Sequence, residues 1–296
     1  MPPPPPPSVR TRSVTSVALP THGDGGGCRR VPLSPFDAYW VALPPVRRVF
    51  LFPSPPPFGD VVRVLRDSLE AVLPAFYPFA GALESLSIVV EAGGGVAFVE
   101  AETDLDLGRL VDEGEEHDED ALRQLVPDIR RDELPAPVMA AQVTEFVGGG
   151  GGVAVGVAMH HAAADGRGLW RFLEMWSAAA AAAVATSVRE ALPPLLHDRT
   201  LVRFDGDGEL ARLFLRQIAA DLPKIVHAPL RQCPLSRRTP AARAELASMN
   251  HDGEVVLVAG REAGSVQASV AIAADKMPAF REMFVVGCGW REPDSN

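Results

Sequence analysis

Two adjacent histidines followed by an aspartate form the group of side chains best suited to chemistry in this sequence. His160 and His161 come directly after the apolar run 153–159, and Asp165 and Gly166 follow within a few positions. An imidazole can take a proton from a hydroxyl group near neutral pH. Because neighbouring side chains of an extended segment point to opposite faces, we expect one histidine to face a cleft and the other to be packed. This group could supply a general base.

Asp165 and Gly166 are expected to shape the turn. Asp165 can accept bonds from nearby backbone N–H groups or pair with an arginine, and Gly166 permits a backbone angle that other residues avoid. The spacing of His161 and Asp165 alone is weak evidence, because a core histidine with a capping aspartate is the more common explanation of such a pair. The surrounding segments must decide between these interpretations.

Composition and charge exclude several classes of function. The chain has 296 residues, of which 47% are hydrophobic, and this is enough to bury a substantial core. Its formal net charge of −10 argues against broad binding to nucleic acid or to anionic membranes. Neither the three cysteines nor the acidic residues have the spacing of metal ligands, so we expect no metal. No apolar run is long enough to span a bilayer, and the N-terminus lacks a signal-peptide core, so a cytoplasmic protein is expected.

The patterns of apolar, glycine and proline residues predict strands and helices without a regular βαβ alternation, hence an α/β fold of the mixed α+β kind. Helices are predicted at 60–72, with Asp60 as a cap of the first turn, from about Gly168 through 177–185, at 206–226 and at 275–285. Hairpins are predicted around Gly93–Gly95 and Gly148–Gly152, and three more strands between 242 and 272, the first two joined by the turn NHDG.

The segment HHAAADG at 160–166 resembles the HxxxDG motif of the plant BAHD acyltransferases, which move an acyl group from a coenzyme A thioester to a hydroxyl or amine. Three other segments agree with this family in order and spacing: LSPFDAYWVALPPVRRVFLF, LEAVLPAFYPFAGAL and GRGLWRFLEMWS. The first of these three segments is similar to the early aromatic segment of the branch that malonylates or aromatically acylates anthocyanins and phenolic glucosides. Because the four matches, which lie between Leu33 and Ser177, agree with the family in order and spacing, the sequence is identified as a member of the family.

The resemblance implies a chloramphenicol acetyltransferase-like architecture, with a channel between two similarly built domains. It implies that His161 is the general base, that His160 is not, and that Asp165 points away from the reacting atoms and supports the turn through an arginine. Acyl-CoA, with a malonyl or hydroxycinnamoyl group, would be a co-substrate, and no cofactor would be tightly bound. The acceptor would be a phenolic or flavonoid glycoside. Full-length members are usually monomers, so a monomer is expected.

The sequence departs from the family pattern after residue 238. PLSRRT at 234–239 resembles the start of the second domain, whereas the segment from Pro240 resembles its closing part, and the DFGWG motif that normally lies between them is missing. VVGCGW at 285–290 is interpreted as an unrelated tail. We therefore expect a disordered proline-rich leader (1–13), an N-terminal acyltransferase domain (14–200), a crossover helix or linker (201–238) and an incomplete second domain (239–296).

The missing segment leaves two functions open. The chain is either an active acyltransferase or an inactive, internally truncated relative that acts as a binding or regulatory remnant, since the loss of one channel wall would weaken positioning of the thioester. A wrongly joined coding sequence is a further explanation of the departure. Sequencing the transcript across residues 238 and 239 tests it.

Overall fold

The computed structural model describes residues 8–20, 28–111, 118–148, 151–185, 195–201, 204–226, 254–259 and 266–271. The chain divides into two compact units, residues 1–243 and 244–296.

A five-stranded mixed sheet is the centre of the first unit. Its strands are Val9–Ala18 (β1), Val46–Phe52 (β3), Gly95–Thr103 (β6), Met139–Phe146 (β9) and Val153–Met159 (β10). The strand order is β1-β6-β9-β10-β3, and β6 and β9 form the parallel pair. β9 and β10 pair along their whole length, from Met139 opposite Met159 to Glu145 opposite Val153. The hairpin predicted around Gly148–Gly152 is therefore confirmed.

A second, smaller sheet shows that the other predicted hairpin is wrong. Its strands are Arg29–Pro32 (β2), Ala82–Glu84 (β4), Ser87–Val90 (β5) and Ala136–Pro137 (β8), in the order β2-β5-β4-β8. The chain does turn at Gly93–Gly95, but β5 lies before the turn in the small sheet and β6 lies after it in the large one. Because β6 pairs with β1 on one side and β9 on the other, it has no edge left for β5.

Helices pack on both faces of the large sheet. The five α-helices within the described ranges are Phe58–Val72 (α1), Leu107–Val111 (α2), Glu119–Gln124 (α3), Gly166–Ala185 (α4) and Asp207–Gln217 (α5). Short 3-10 helices span Asp37–Ala42, Tyr77–Ala80 and Arg199–Leu201. In β10 the odd-numbered residues pack in the same core as α1 and α4, and the even-numbered Ala154 and Ala158 pack near α2 and α3. Burial on both faces explains why β10 is apolar throughout.

Two predicted helices are confirmed with corrected details. α1 has Pro57 at its N-cap without a side-chain cap bond, and Asp60 instead pairs with Arg63 at 3.2 Å, so the capping role predicted for Asp60 is wrong. The helix predicted at 206–226 ends at Gln217. The chain then forms the short strand Lys224–Ile225 (β11), which pairs parallel with Glu133–Leu134 (β7).

The predicted leader is too long. β1 begins at Val9, inside the predicted range 1–13, because Val9–Thr11 pair with residues 101–103 of β6. Arg10 reinforces this pairing through ion pairs to Glu102 at 3.0 Å and Asp104 at 3.3 Å. Residues 1–7 lie outside the described part of the chain.

The second unit contains an antiparallel pair of strands, Glu254–Ala259 (β12) and Val266–Ala271 (β13), with Glu254 opposite Ala271. These are the second and third of the strands predicted between 242 and 272. The NHDG turn, the helix predicted at 275–285, the tail VVGCGW and the junction near residue 238 lie outside the described residues. The other predicted domain limits, and the incompleteness of the second domain, stay predictions.

Gly156→Ala is expected to lower the free energy of unfolding by about 1–3 kcal/mol. Gly156 lies in β10 against the end of α3, where an added Cβ would overlap the carbonyl oxygen of Leu125 and lie 2.8 Å from Val126 Cα. The backbone after α3 would have to move. Gly59→Ala in α1 is the matched control, because outside its chain neighbours and its own helix backbone no atom lies within 4 Å of the place that its Cβ would take, and a helix favours alanine. Urea unfolding measures both, and equal midpoints for the two variants would contradict the close approach at Gly156.

Candidate active site

The turn after β10 fixes both histidines at one end of the large sheet. The His160 backbone N–H donates to Val138 O at 2.7 Å, and the Ala163 N–H donates to His160 O at 2.9 Å. The first bond continues the strand pairing one residue beyond Met159. The second closes a turn, in which the chain reverses before α4 begins at Gly166. These two backbone bonds fix the path of the chain at both histidines.

His160 is a packed residue. Its side chain is 1% exposed, and the Ala162 N–H donates to its Nδ1 at 3.2 Å, so the neutral ring carries its proton on Nε2. Burial, with a smaller contribution from the neighbouring His161, lowers the pKa of His160 to about 4. His160 is therefore neutral at pH 7 and closed to solvent, as expected for one of the two histidines.

Acid is expected to destabilise the protein through His160. Its pKa is about 4 in the folded chain, against 6.5 for a histidine exposed to water, so between these values the unfolded chain binds a proton that the folded chain does not. The stability present above pH 6.5 is lost as the pH falls toward 4, and the loss between pH 7 and pH 5 is about 2 kcal/mol. Urea unfolding at both pH values measures it. His160→Gln should lose this part of the pH dependence and His161→Gln should keep it, whereas an unchanged dependence in His160→Gln would contradict this assignment.

His161 is half-buried and lies against an aromatic ring from a distant part of the chain. Its imidazole stacks on the indole of Trp40, with ring centroids 4.3 Å apart and an interplanar angle of 10°. Trp40 belongs to the 3-10 helix Asp37–Ala42. The Nδ1 atom of His161 is buried. The imidazole is therefore held flat against Trp40 while part of the residue stays open to solvent.

Asp165 takes one of the two roles that the sequence left open. Its Oδ1 accepts the Gly168 N–H at 2.7 Å, which satisfies a donor in the first turn of α4. Among the described residues, the arginine at this turn is Arg199, and its carboxylate partner is Asp37 at 3.1 Å. The arginine partner that the family resemblance implies for Asp165 is therefore not found within the described ranges.

The Arg199 side chain binds backbone carbonyl groups of the turn. One guanidinium nitrogen, Nη1, donates to Ala162 O at 2.5 Å, and the other, Nη2, donates to Ala163 O. Sequence reasoning does not find Arg199, because no spacing links it to the histidines. Trp40 and Asp37 lie in the segment LSPFDAYW, whose resemblance to the family was the one signal available for them.

An apolar groove of about 1200 Å³ lies between β3, β10, α1 and α4, and residues such as Phe50, Val155 and Trp170 line it. Its lining does not include His161, so we do not assign the chemistry to it. Within the described ranges, no cluster of three or more His, Cys, Asp or Glu side chains could hold a metal ion. Within those same ranges, no helix has both the length and the apolar composition needed to cross a membrane.

Residues 19–209, more than half of the chain, match the family model described as the Transferase family. The chain belongs to that family, the BAHD acyltransferases. The crystal structure of vinorine synthase has 22% identity and a TM-score of 0.50, covering 79% of this chain and 50% of the synthase. This likeness shows the fold, which is chloramphenicol acetyltransferase-like as predicted.

Two similar relatives are named for acyl transfer. Phenolic glucoside malonyltransferase 1 of Bemisia tabaci is 33% identical over 181 residues, which are 57% of this chain and 39% of the relative. Shikimate O-hydroxycinnamoyltransferase of Nicotiana tabacum is 38% identical over 147 residues, 48% of this chain and 31% of the relative. The chain thus spans less than half the length of these relatives.

Proposed function

We propose that this chain transfers an acyl group, malonyl or hydroxycinnamoyl, from acyl-CoA to a hydroxyl of a phenolic or flavonoid glycoside. The observation that carries the proposal is the half-buried imidazole of His161, held at the end of β10 against Trp40. The names of the relatives, a phenolic glucoside malonyltransferase and a hydroxycinnamoyltransferase, support these donor and acceptor classes. A cytoplasmic location, a monomeric state and the absence of a tightly bound cofactor stay predictions.

His161 is proposed as the general base through Nε2, because its Nδ1 is buried. Nε2 would take the proton of the acceptor hydroxyl while the oxygen attacks the carbonyl carbon of the thioester. The tetrahedral oxyanion then collapses, the carbon–sulfur bond breaks, and the proton passes from the imidazolium to the departing thiolate. The products are an ester and free coenzyme A. Trp40 would stabilise the transient imidazolium through its π face.

His160 and Asp165 have supporting roles in this mechanism. A pKa of about 4 keeps His160 neutral, so no second positive charge opposes protonation of His161. Asp165 caps α4 by accepting the Gly168 N–H, and this fixes where the turn ends. His160 therefore acts through its lack of charge and Asp165 through the geometry of the turn, and neither is proposed to exchange a proton with the substrate.

Product analysis by mass spectrometry tests the proposal. The purified chain is incubated with malonyl-CoA or a hydroxycinnamoyl-CoA and a phenolic glucoside, and the glucoside should gain the mass of one acyl group. The same glucoside with its hydroxyls methylated is the control, and it should remain unmodified. If the folded chain forms no ester with either donor, the proposal fails. The alternative of a non-catalytic remnant would then remain.

A further inference from the structure

The position of the His161 imidazole depends on two elements that are far apart in sequence. One is the turn after β10, which carries His161 itself, and the other is the 3-10 helix Asp37–Ala42, which carries Trp40. A stacking distance of 4.3 Å requires that both elements keep their relative position. The Arg199 guanidinium contacts both of them: it donates to two carbonyls of the turn, and it pairs with Asp37 in the first turn of the helix.

We propose that Arg199 is the positioning residue of His161, joining the turn to the helix and thereby setting the stacked arrangement of the imidazole on Trp40. The structural part of this proposal stands on the contacts of Arg199, and its kinetic consequence rests on the proposed function. Arg199 acts on His161 through the backbone of the two residues that follow it, Ala162 and Ala163.

The three acceptors suit an arginine. Ala162 O, Ala163 O and one carboxylate oxygen of Asp37 surround the same guanidinium, which is planar and offers donors in a fixed fork. The side chains of Arg199 and Asp37 are 21% and 23% exposed, so water screens their attraction only in part. A lysine could carry the charge, but its ammonium could not meet all three acceptors in this geometry.

The acceptor on the helix side is itself fixed in place. The Ser34 N–H donates to Asp37 Oδ2 at 2.8 Å, and this is the oxygen that pairs with Arg199. In return, the Asp37 N–H donates to Ser34 Oγ at 3.3 Å. Ser34 and Asp37 therefore hold each other reciprocally where the helix begins. Because the carboxylate cannot swing freely, its ion pair transmits the position of Arg199 to the start of the helix.

The segment that supplies Arg199 is anchored independently of His161. The His197 Nε2–H donates to Ala75 O at 2.7 Å, in the turn after α1, and its ring lies edge-on to Tyr77 with centroids 4.9 Å apart. Burial lowers the pKa of His197, which keeps the ring neutral at pH 7. Arg199 therefore reaches the turn from a segment whose place does not depend on the elements that it joins.

The ring current of Trp40 provides a direct readout of the stacked arrangement. Protons of an imidazole stacked on an indole resonate upfield. The upfield displacement of the His161 Hε1 resonance is therefore measured as the difference in its chemical shift between the wild-type chain and Trp40→Leu. We expect Arg199→Gln to reduce this displacement by at least half in a folded chain. The His161 resonance is assigned by its disappearance in His161→Gln. Arg199→Lys, which keeps the charge and disturbs folding less, should show an intermediate displacement.

Arg66→Gln is the matched control. Arg66 is 33% exposed, donates to Thr15 Oγ1 at 2.7 Å and pairs with Glu100 at 3.6 Å, so it is a partly buried arginine bound to β1 and β6. Its loss should leave the displacement of the His161 resonance unchanged. If Arg199→Gln folds and its His161 resonance keeps the wild-type displacement, the proposal is overturned. If Arg199→Gln does not fold, a wild-type displacement in Arg199→Lys overturns it.

Kinetics test the consequence for catalysis separately. If the chain is an acyltransferase, Arg199→Lys should lower kcat about tenfold with little change in KM for acyl-CoA, because a displaced base weakens the reaction more than binding. A large rise in KM with unchanged kcat would contradict a positioning role. If the wild-type chain has no activity, the proposed function fails, and the resonance displacement still decides whether Arg199 positions His161.

Discussion

Replacing His161 by glutamine is expected to lower kcat/KM for acyl transfer by about 10²–10⁴-fold, the usual contribution of a general base. Glutamine keeps a flat polar group that can lie on Trp40, but it cannot take a proton from the acceptor hydroxyl. Initial rates of ester formation measure the change. The far-ultraviolet circular dichroism and the melting temperature should stay near those of the wild-type chain, since His161 is only half-buried.

The pH profile of the same variant provides a second test. A general base acts only in its unprotonated form, so the rate of the wild-type chain should fall in acid, and the residual rate of His161→Gln should lack that acid limb. A folded His161→Gln variant with the wild-type rate would remove His161 as the base.

Replacing Phe172 by alanine is expected to reduce the free energy of unfolding by about 3–5 kcal/mol. Phe172 is fully buried where α4 meets the turn after α1, with centroid distances of 5.2 Å to both Phe76 and Phe79 and 5.7 Å to Trp176. Its removal leaves a cavity and ends three ring contacts. Denaturant unfolding followed by circular dichroism measures the loss.

Trp170→Ala is the control for Phe172→Ala. Trp170 lies two positions earlier on α4 and is 45% exposed, so its truncation should change stability much less. Equal losses in the two variants would contradict the placement of Phe172 as the buried anchor of α4.

The sequence predicts those elements whose signals are local. α1 repeats its apolar residues at helical spacing, and the β9–β10 hairpin joins two buried runs through glycines, so both are found without knowledge of the rest of the chain. The glycines at 93–95 also mark a real turn. Which strands pair across the molecule is a separate matter, because β6 finds its partners in β1 and β9, whose contacts no local pattern reveals.

The same limit applies to the candidate site. His161 and Asp165 are visible in the sequence because they share one turn, and the family resemblance gives their proposed roles. Trp40 precedes that turn in the sequence and Arg199 follows it. Both contact the turn through tertiary packing, which has no fixed spacing in the sequence. Asp60 shows a related limit, since a cap depends on where the helix begins, and α1 begins two residues earlier, at Phe58.

Acceptor-dependent release of coenzyme A by the purified chain tests most directly whether His161 performs acyl transfer. Free thiol and acylated glycoside are measured in the same samples, with and without the glycoside. The proposed mechanism predicts that thiol release requires the glycoside, equals the ester formed mole for mole, and disappears in His161→Gln. Thiol release that is independent of the glycoside, or that persists unchanged in His161→Gln, would contradict it.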